Sequence, residues 1–337
     1  SALDVAADLI FNKEKIKLSF HADQPLKLVG SGDSVVKTTV KVGSLLALEF
    51  TGKAKQQAVM GSIDLGVPSL IAISAWSGKK IDWKGSSPLE FKGQGAISCN
   101  AAECVFSKAK LTLDDSVFNG DMKINFASTI PAIEAKLVTD KFNLNHYLPS
   151  EKKQASAVFS LISDAQAAQE QGWDTRPFDF SGLRSVNANL AVTIGELLYK
   201  SAVLSKANLA LKLANGALVL DIPNVEIYSG TAKISATANA NNTVSVNFTA
   251  DKIQIEGLLR DFAKSDRLTG VASMNIAVSG KGTSERDIIS SLDGKGDVKI
   301  NDGTFKGVDI AKLITSARAI VTGVDTYSEK TKFSELG

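Results

Sequence analysis

The sequence predicts a mainly β protein: a long, twisted and curved antiparallel sheet folded into a groove, taco-like in section, with a few short helices at the ends of repeats. Three observations predict it. Apolar and polar residues alternate with period two in run after run. Gly, Asn, Asp and Ser interrupt these runs about every 8–12 residues, which gives roughly 20 strands. Finally, the pattern repeats along the chain.

The elements follow in order. "EKIKLSF" places Ile16, Leu18 and Phe20 on one side. "VVKTTVKVG" sets Val36, Thr38, Val40 and Val42 against Lys37, Thr39 and Lys41. "NANLAVTIG", "ANLALKLANGALVLDI" and "TAKISATANA" continue the alternation. Each such strand buries one face and wets the other, as in antiparallel sheets. Asn215-Gly216, between two alternating runs, is a hairpin signal. The glycine pairs at 30–32, 93–95, 280–282 and 294–296 read as turns.

Helices are few. Val158, Leu161, Ile162 and Ala165 have helical spacing within 155–171, although polar flanks leave a linker as the alternative. "SERDIISSL" offers Ser284 as an N-cap with Asp287 three residues on. A short helix is expected at "EGLLRDFAKS", and another places Ile310, Leu313, Ile314 and Ala317 on one face.

The repeat is explicit. "IEAKLVTDKFNLNHYL" (133–148) aligns with "VSVNFTADKIQIEGLL" (244–259) at an offset of 111. In both copies the alternation slips phase, after Thr139 and after Ala250, which reads as a built-in bulge or corner. Upstream, "SKAKLTL" (107–113) matches "SKANLAL" (205–211), and "FNG" (118–120) matches "YSG" (228–230). The second copy therefore carries about a dozen extra residues, roughly one strand. "VDIAKLI" (308–314) is a partial third copy. The organisation expected is a first β region over 1–150, a helical or flexible insert over 151–172, and a second β region over 173–337.

Composition narrows the function. The chain has 337 residues, 44% of them hydrophobic and 22% charged, an ordinary globular balance. Lys and Arg number 38 against 36 Asp and Glu, so no nucleic-acid surface is implied. No apolar run is long enough for a membrane-spanning helix. Residue 1 is Ser and no signal peptide follows, so the chain reads as an excerpt of a longer protein. Cys99 and Cys104 do not have metal-site or CxxC spacing. They read as a hairpin disulfide of an oxidising compartment, with two buried thiols as the other reading.

Catalytic signals are weak. No GxSxG, HExxH, Walker A or GxGxxG motif occurs. Asp114 and Asp115 read as a solvated turn, and His146 as a surface residue. No catalytic residue, metal or cofactor is assigned. What needs explaining is the apolar face. Each amphipathic strand leaves about three large apolar side chains on one side, each worth roughly 1.5–3 kcal/mol when covered. Either the sheet folds over and fills itself, or apolar ligand fills it. The candidate lining is Ile133, Ala135, Leu137, Phe142 and Leu144 in one copy and Val244, Val246, Phe248, Ile253 and Ile255 in the other.

The second half also carries a resemblance. Trp173, Asp174, Pro177, Asp179 and Leu183, leading into strands over 172–222, resemble the opening of the C-terminal part of AsmA-family proteins. Leu268, Thr269, Gly270, Leu292, Gly294, Gly296, Asp302, Gly303, Gly307 and Asp309 resemble that family's other hallmark. The resemblance is clear over about 172–320 and looser over 1–150. It implies a periplasmic protein of a double-membraned bacterium, anchored in the inner membrane by a helix outside this chain and linked to outer-membrane biogenesis. Relatives, including the TamB-like group, imply phospholipid carried along an apolar β-groove, with outer-membrane assembly proteins as possible partners. Two readings stand beside it: a scaffold that binds proteins at its sheet edges, and a polysaccharide-acting β-solenoid enzyme.

Overall fold

A computed structural model describes residues 1–29, 32–79, 81, 83–148, 175–177, 181–306 and 330–336. The fold is mainly β, with few short helices, and the sheet is not closed into a barrel. The predicted helices over 155–171 and around 310–317, the partial third repeat, and Trp173, Asp174, Asp179, Gly307 and Asp309 lie outside the described residues. Contacts divide the chain into two compact units. One comprises residues 1–150, 181–197 and 209–216, and the other 151–180, 198–208 and 217–337.

In the first unit the strands are β1 (Leu3–Phe11), β2 (Glu14–Ala22), β3 (Ser34–Val42), β4 (Leu46–Lys55), β5 (Ala58–Val67), β6 (Phe91–Cys99), β7 (Glu103–Leu113), β8 (Ser116–Asn125) and β9 (Ala132–Asn143). Each pairs antiparallel with the next. β10 (Asn187–Tyr199) pairs with β9, and a Lys141–Glu196 ion pair of 3.4 Å links the two. β11 is Ala202–Ala214. The second unit holds β12 (Ala217–Ile227), β13 (Gly230–Asn239), β14 (Thr243–Gln254), β15 (Leu268–Lys281), β16 (Asp293–Lys306) and β17 (Lys330–Leu336), again paired in sequence order. β12 is the extra strand of the second copy, between "SKANLAL" and "YSG". Its Pro223 sits where the register shifts between Ile222 and Val225, at a bulge where its missing N–H is tolerated.

The phase slip has a backbone cause. Lys252 takes φ +56°, and the β14–β15 register shifts between Ala250 and Ile253. Lys108 (φ +51°) does the same on β7, where the register shifts between Phe106 and Ala109. Lys206, its counterpart in "SKANLAL", has φ +55°. At each site an exposed lysine occupies the left-handed position and the next residue, Ile253, Ala109 or Ala207, is buried. The bulge thus returns an apolar side chain to the inner face. In the first copy, Thr139 is buried and Asp140 and Lys141 are both exposed, the same slip in burial.

Short helices stand at strand ends. α1 (Pro25–Val29) follows β2, and Leu28 packs on a core of Ala22, Val36, Phe50 and Ile97. α2 (Leu70–Trp76) is capped by Ser69, whose hydroxyl accepts from Ala72 N at 3.2 Å. Its Trp76 meets Phe11 edge-on at 5.6 Å and donates Nε1–H to the Phe11 carbonyl at 3.1 Å. α3 (Ile255–Ala263) continues from β14 and presents Ile255 and Leu259 to Ala272 and Ile300. α4 (Glu285–Ser290) is capped as its sequence predicts, with Ser284 Oγ accepting from Asp287 N at 3.1 Å. Asn215 and Gly216 both take positive φ, as their turn requires.

The glycine reading needs correction. Gly93, Gly95, Gly280, Gly294 and Gly296 lie inside strands, not in turns. Their phase puts them on the apolar face, opposite Leu111, Ile63, Val244, Val278 and Ile276. There a missing side chain makes room for a large neighbour.

Candidate functional site: a one-sided apolar face

Register, rather than any single strand, builds the face. In the second unit Ile222 pairs with Ile234, Ile234 with Phe248, Phe248 with Ile276, and Ile276 with Gly296. A parallel row runs Leu220, Ala236, Val246, Val278, Gly294. A third runs Ala232, Ala250, Met274, Val298. Every residue of these rows is apolar or glycine. The intervening rows hold Asp221, Ser235 and Asn247, then Lys233, Thr249, Asn275 and Asp297. Cross-strand partners sit about 5 Å apart, so each row is continuous side-chain contact.

Burial along β14 is graded. Ala250 and Ile253 are buried, Ile253 only 2% exposed, and on the neighbouring strands Ala272 and Ile300 pack with Ile255 of α3. Farther from the helix, Val244 and Phe248 are half-buried, and Val246 and Val298 are 38% and 45% exposed. Ile288 of α4 lies over Gly280 at the far end of the same face. The structure therefore separates the second candidate set. Ile253 and Ile255 form packed core, while Val244, Val246 and Phe248 offer accessible surface. Ile276 and Val278, signalled by the alternation in "MNIAVSG", and Val298 belong with them, whereas Met274 packs against the core of Ile255, Ala272 and Ile300.

The first unit repeats the design. Ala22, Val36, Gly52, Gly61, Ile97, Phe106, Met122 and Ala135 form one row by register. Beside it run Ala54, Val59, Cys99, Cys104, Ile124 and Ile133. Cys99 and Cys104 are directly opposed with Cα atoms 4.0 Å apart and are joined as a disulfide, on the apolar side. Leu137 lies opposite Gly120. Phe142 reaches Phe118 (5.6 Å) and stacks on Tyr147 (5.1 Å), and Leu144 opens the 3-10 turn over Leu144–Tyr147. The first candidate set thus follows one strand into the aromatic cap that ends it.

That cap revises the reading of Asp114, while the His146 side chain, 39% exposed, stays at the surface. Asp114 is a turn residue with φ +52°, but its carboxylate is occupied. It accepts from Ser87 Oγ, from Glu90 N at 3.0 Å and from Tyr147 Oη at 2.9 Å. His146 is half-buried, its Nε2 3.0 Å from Asn143 Nδ2 and its carbonyl accepting from Ser86 N at 3.0 Å. In the second copy Tyr228 Oη donates to Asp261 at 2.7 Å, beside Gly257, which stands where His146 stands in the first. A Cβ at Gly257 would press on the Tyr228 ring. Burial, then the adjacent carboxylate, hold both Tyr147 and Tyr228 well above the ordinary phenol range. These are strand-end braces.

No catalytic arrangement is assembled among the described residues. His21 has both ring nitrogens engaged by carboxylates, so it is not aimed at a nucleophile. The apolar face is also not an enclosed cavity. Two concavities of about 520 and 590 Å³ lie over β1–β4, lined mainly by polar-face residues such as His21, Lys37, Lys17 and Lys41. What remains is an open, one-sided apolar surface braced at strand ends.

The family scan matches residues 34–337 to the AsmA family. That match points to outer-membrane biogenesis or lipid transport, in a family that is generally non-enzymatic. No curated protein and no solved structure matches the chain. With all but its first 33 residues matched, the chain belongs to the AsmA family.

Proposed function

We propose that this protein is a periplasmic, inner-membrane-anchored component of outer-membrane biogenesis that carries phospholipid acyl chains on its apolar β-face. The observation that supports this reading is the register-built face in which Val246 and Val298 remain 38% and 45% exposed while the opposite rows are polar. Burying a methylene is worth about 0.8 kcal/mol, so ten methylenes of one acyl chain would gain roughly 8 kcal/mol before ordering costs. The headgroup stays in water and needs no dedicated pocket. Its partners would be phospholipid, the inner membrane through a helix outside this chain, and outer-membrane assembly proteins.

A scaffold role is the second reading, favoured by β1. Eight of its nine residues are exposed, Ile10 at 81%, so this strand offers apolar surface for a protein partner to cover. Native mass spectrometry of the protein isolated from bacteria separates the two. Bound phospholipid at one per chain or more, above a control β-protein, supports the carrier. A lipid-free chain that instead retains a protein partner supports the scaffold and overturns the carrier.

A further inference from the structure

His21 sits at the end of β2 between carboxylates from two other elements. Its Nδ1 lies 2.6 Å from Asp4 Oδ1 on β1, and its Nε2 lies 2.8 Å from Asp23 Oδ1 in the turn that leads to α1. An imidazole has two ring nitrogens but only one N–H when neutral. Two carboxylate acceptors therefore require the imidazolium if both contacts are to be hydrogen bonds. The other charged group facing the ring is Lys37 on β3, its direct cross-strand partner. Glu49 of β4 lines the same depression, and the nearby Asp33–Lys53 pair, 3.5 Å apart, satisfies itself. Two touching carboxylates outweigh one facing ammonium, and the ring is held above the usual imidazole range by Asp4 and then Asp23.

β1 is exposed along nearly all its length but is laddered to β2 over all nine residues, with an Asp8–Lys15 ion pair of 3.1 Å and the Phe11–Trp76 contact toward its far end, so His21 secures only its first residues. α1 is five residues long and anchors mainly through Leu28, which covers the Ala22–Val36–Phe50–Ile97 core on the apolar side. Asp23 is the residue where the chain turns from the polar side of β2 toward that helix. Its N–H donates to the Val35 carbonyl at 3.1 Å, and Gln24 N donates to Ser34 Oγ at 2.9 Å. Loss of the ring's second donor would break one of these two contacts and loosen the end of β1 or the turn into α1.

We infer that His21 is a protonation-dependent clamp that fastens residues 3–6 of β1 and the turn into α1 to the end of β2. The direction follows from linkage. A folded-state pKa above the unfolded value gives stabilisation that is complete below about pH 6.5 and is lost as pH rises through the folded pKa. The clamp is closed in mild acid and opens toward alkali. Opening frays residues 3–6 of β1 and the turn into α1. This inference does not depend on what the face binds.

The test is amide exchange of the intact chain at about pH 5.5 and about pH 8.5, corrected for intrinsic rates. Protection of residues 3–6 and 22–28 should fall at the higher pH, beyond any change in β6–β7. The hairpin β6–β7 serves as the internal control for folding. His21→Gln, which keeps a neutral donor and acceptor, should remove the pH response while leaving β6–β7 protected. Asp4→Asn should remove the response in β1 alone, and Asp23→Asn in the α1 turn alone. A wild-type response absent from both segments, or one that survives in His21→Gln, overturns the inference.

Discussion

Two substitutions on the same apolar face should behave in opposite ways. Ile253 is 2% exposed and opposite Ala272, whereas Val246 and Val298 are 38% and 45% exposed on the open part. Ile253→Ala removes buried methylenes and leaves a cavity, a cost of about 2–4 kcal/mol. Val246→Thr with Val298→Thr keeps the β-branch and the volume, and a half-wet hydroxyl can find water. The cost there is under about 1 kcal/mol per site, taking the exposed fraction from the 1.5–3 kcal/mol of full burial and halving it because threonine keeps one methyl. The two valines are not cross-strand partners, so their effects should add. At roughly 2–4 °C per kcal/mol, Ile253→Ala should lower Tm by about 4–16 °C and the double threonine variant by about half as much or less. Phospholipid retention should move the other way. Each lost valine contact of about 1 kcal/mol weakens acyl-chain binding about fivefold. Thermal melts and lipid extraction on the same samples give both numbers. If the threonine pair destabilises as much as Ile253→Ala, the open face is core and the reasoning fails. If the pair melts normally and keeps its lipid, the face is not where lipid sits.

Other expectations follow from particular contacts. Gly120→Ala should cost at least about 2 kcal/mol, because φ is +154° and the new Cβ would run into the Lys136 carbonyl oxygen; Gly66→Ala, with open space around it, should cost far less in the same urea titration. Replacing Cys99 and Cys104 by Ser should lower stability by about 2 kcal/mol, the chain-entropy figure for so short a loop, and non-reducing peptide mapping should find the two linked in the native chain. In a 295 nm titration, Tyr147 and Tyr228 should stay protonated until the protein unfolds in alkali. Their raised folded-state pKa values stabilise the fold below the ordinary phenol pKa of about 10, and that stability is lost as pH climbs beyond it. Tyr228→Phe should remove that late step for one ring and cost about 1–2 kcal/mol, because Asp261 loses a donor.

The strand content was legible because period two is a local signal, and "VVKTTVKVG" becomes β3 with its alternation intact. The strand-to-helix junctions at 133–148 and 244–259 were legible because they occur twice. Less was readable where the cause is cross-strand. Gly294 and Gly296 look like turn residues until register sets them opposite Val278 and Ile276. The lysines of "SKA" and "DKI" look like wet strand positions, and only their positive φ reveals the bulge that restores the inward phase. Asp114 looked solvated because its partners, Ser87 and Tyr147, are 27 and 33 residues away. In the candidate lining, the sequence could place residues on a face but could not grade their burial. Val246 and Ile253 read alike, yet one is 38% exposed and the other 2%.

The most direct test of the account exploits its phase. A photoreactive amino acid placed singly at 246, 247, 248 or 249 of β14 samples the two faces in turn. Irradiated in bacteria and analysed by mass spectrometry, positions 246 and 248 should capture phospholipid, and positions 247 and 249 should not. Capture that ignores the alternation, or that favours Asn247 and Thr249, would contradict a lipid-bearing apolar face.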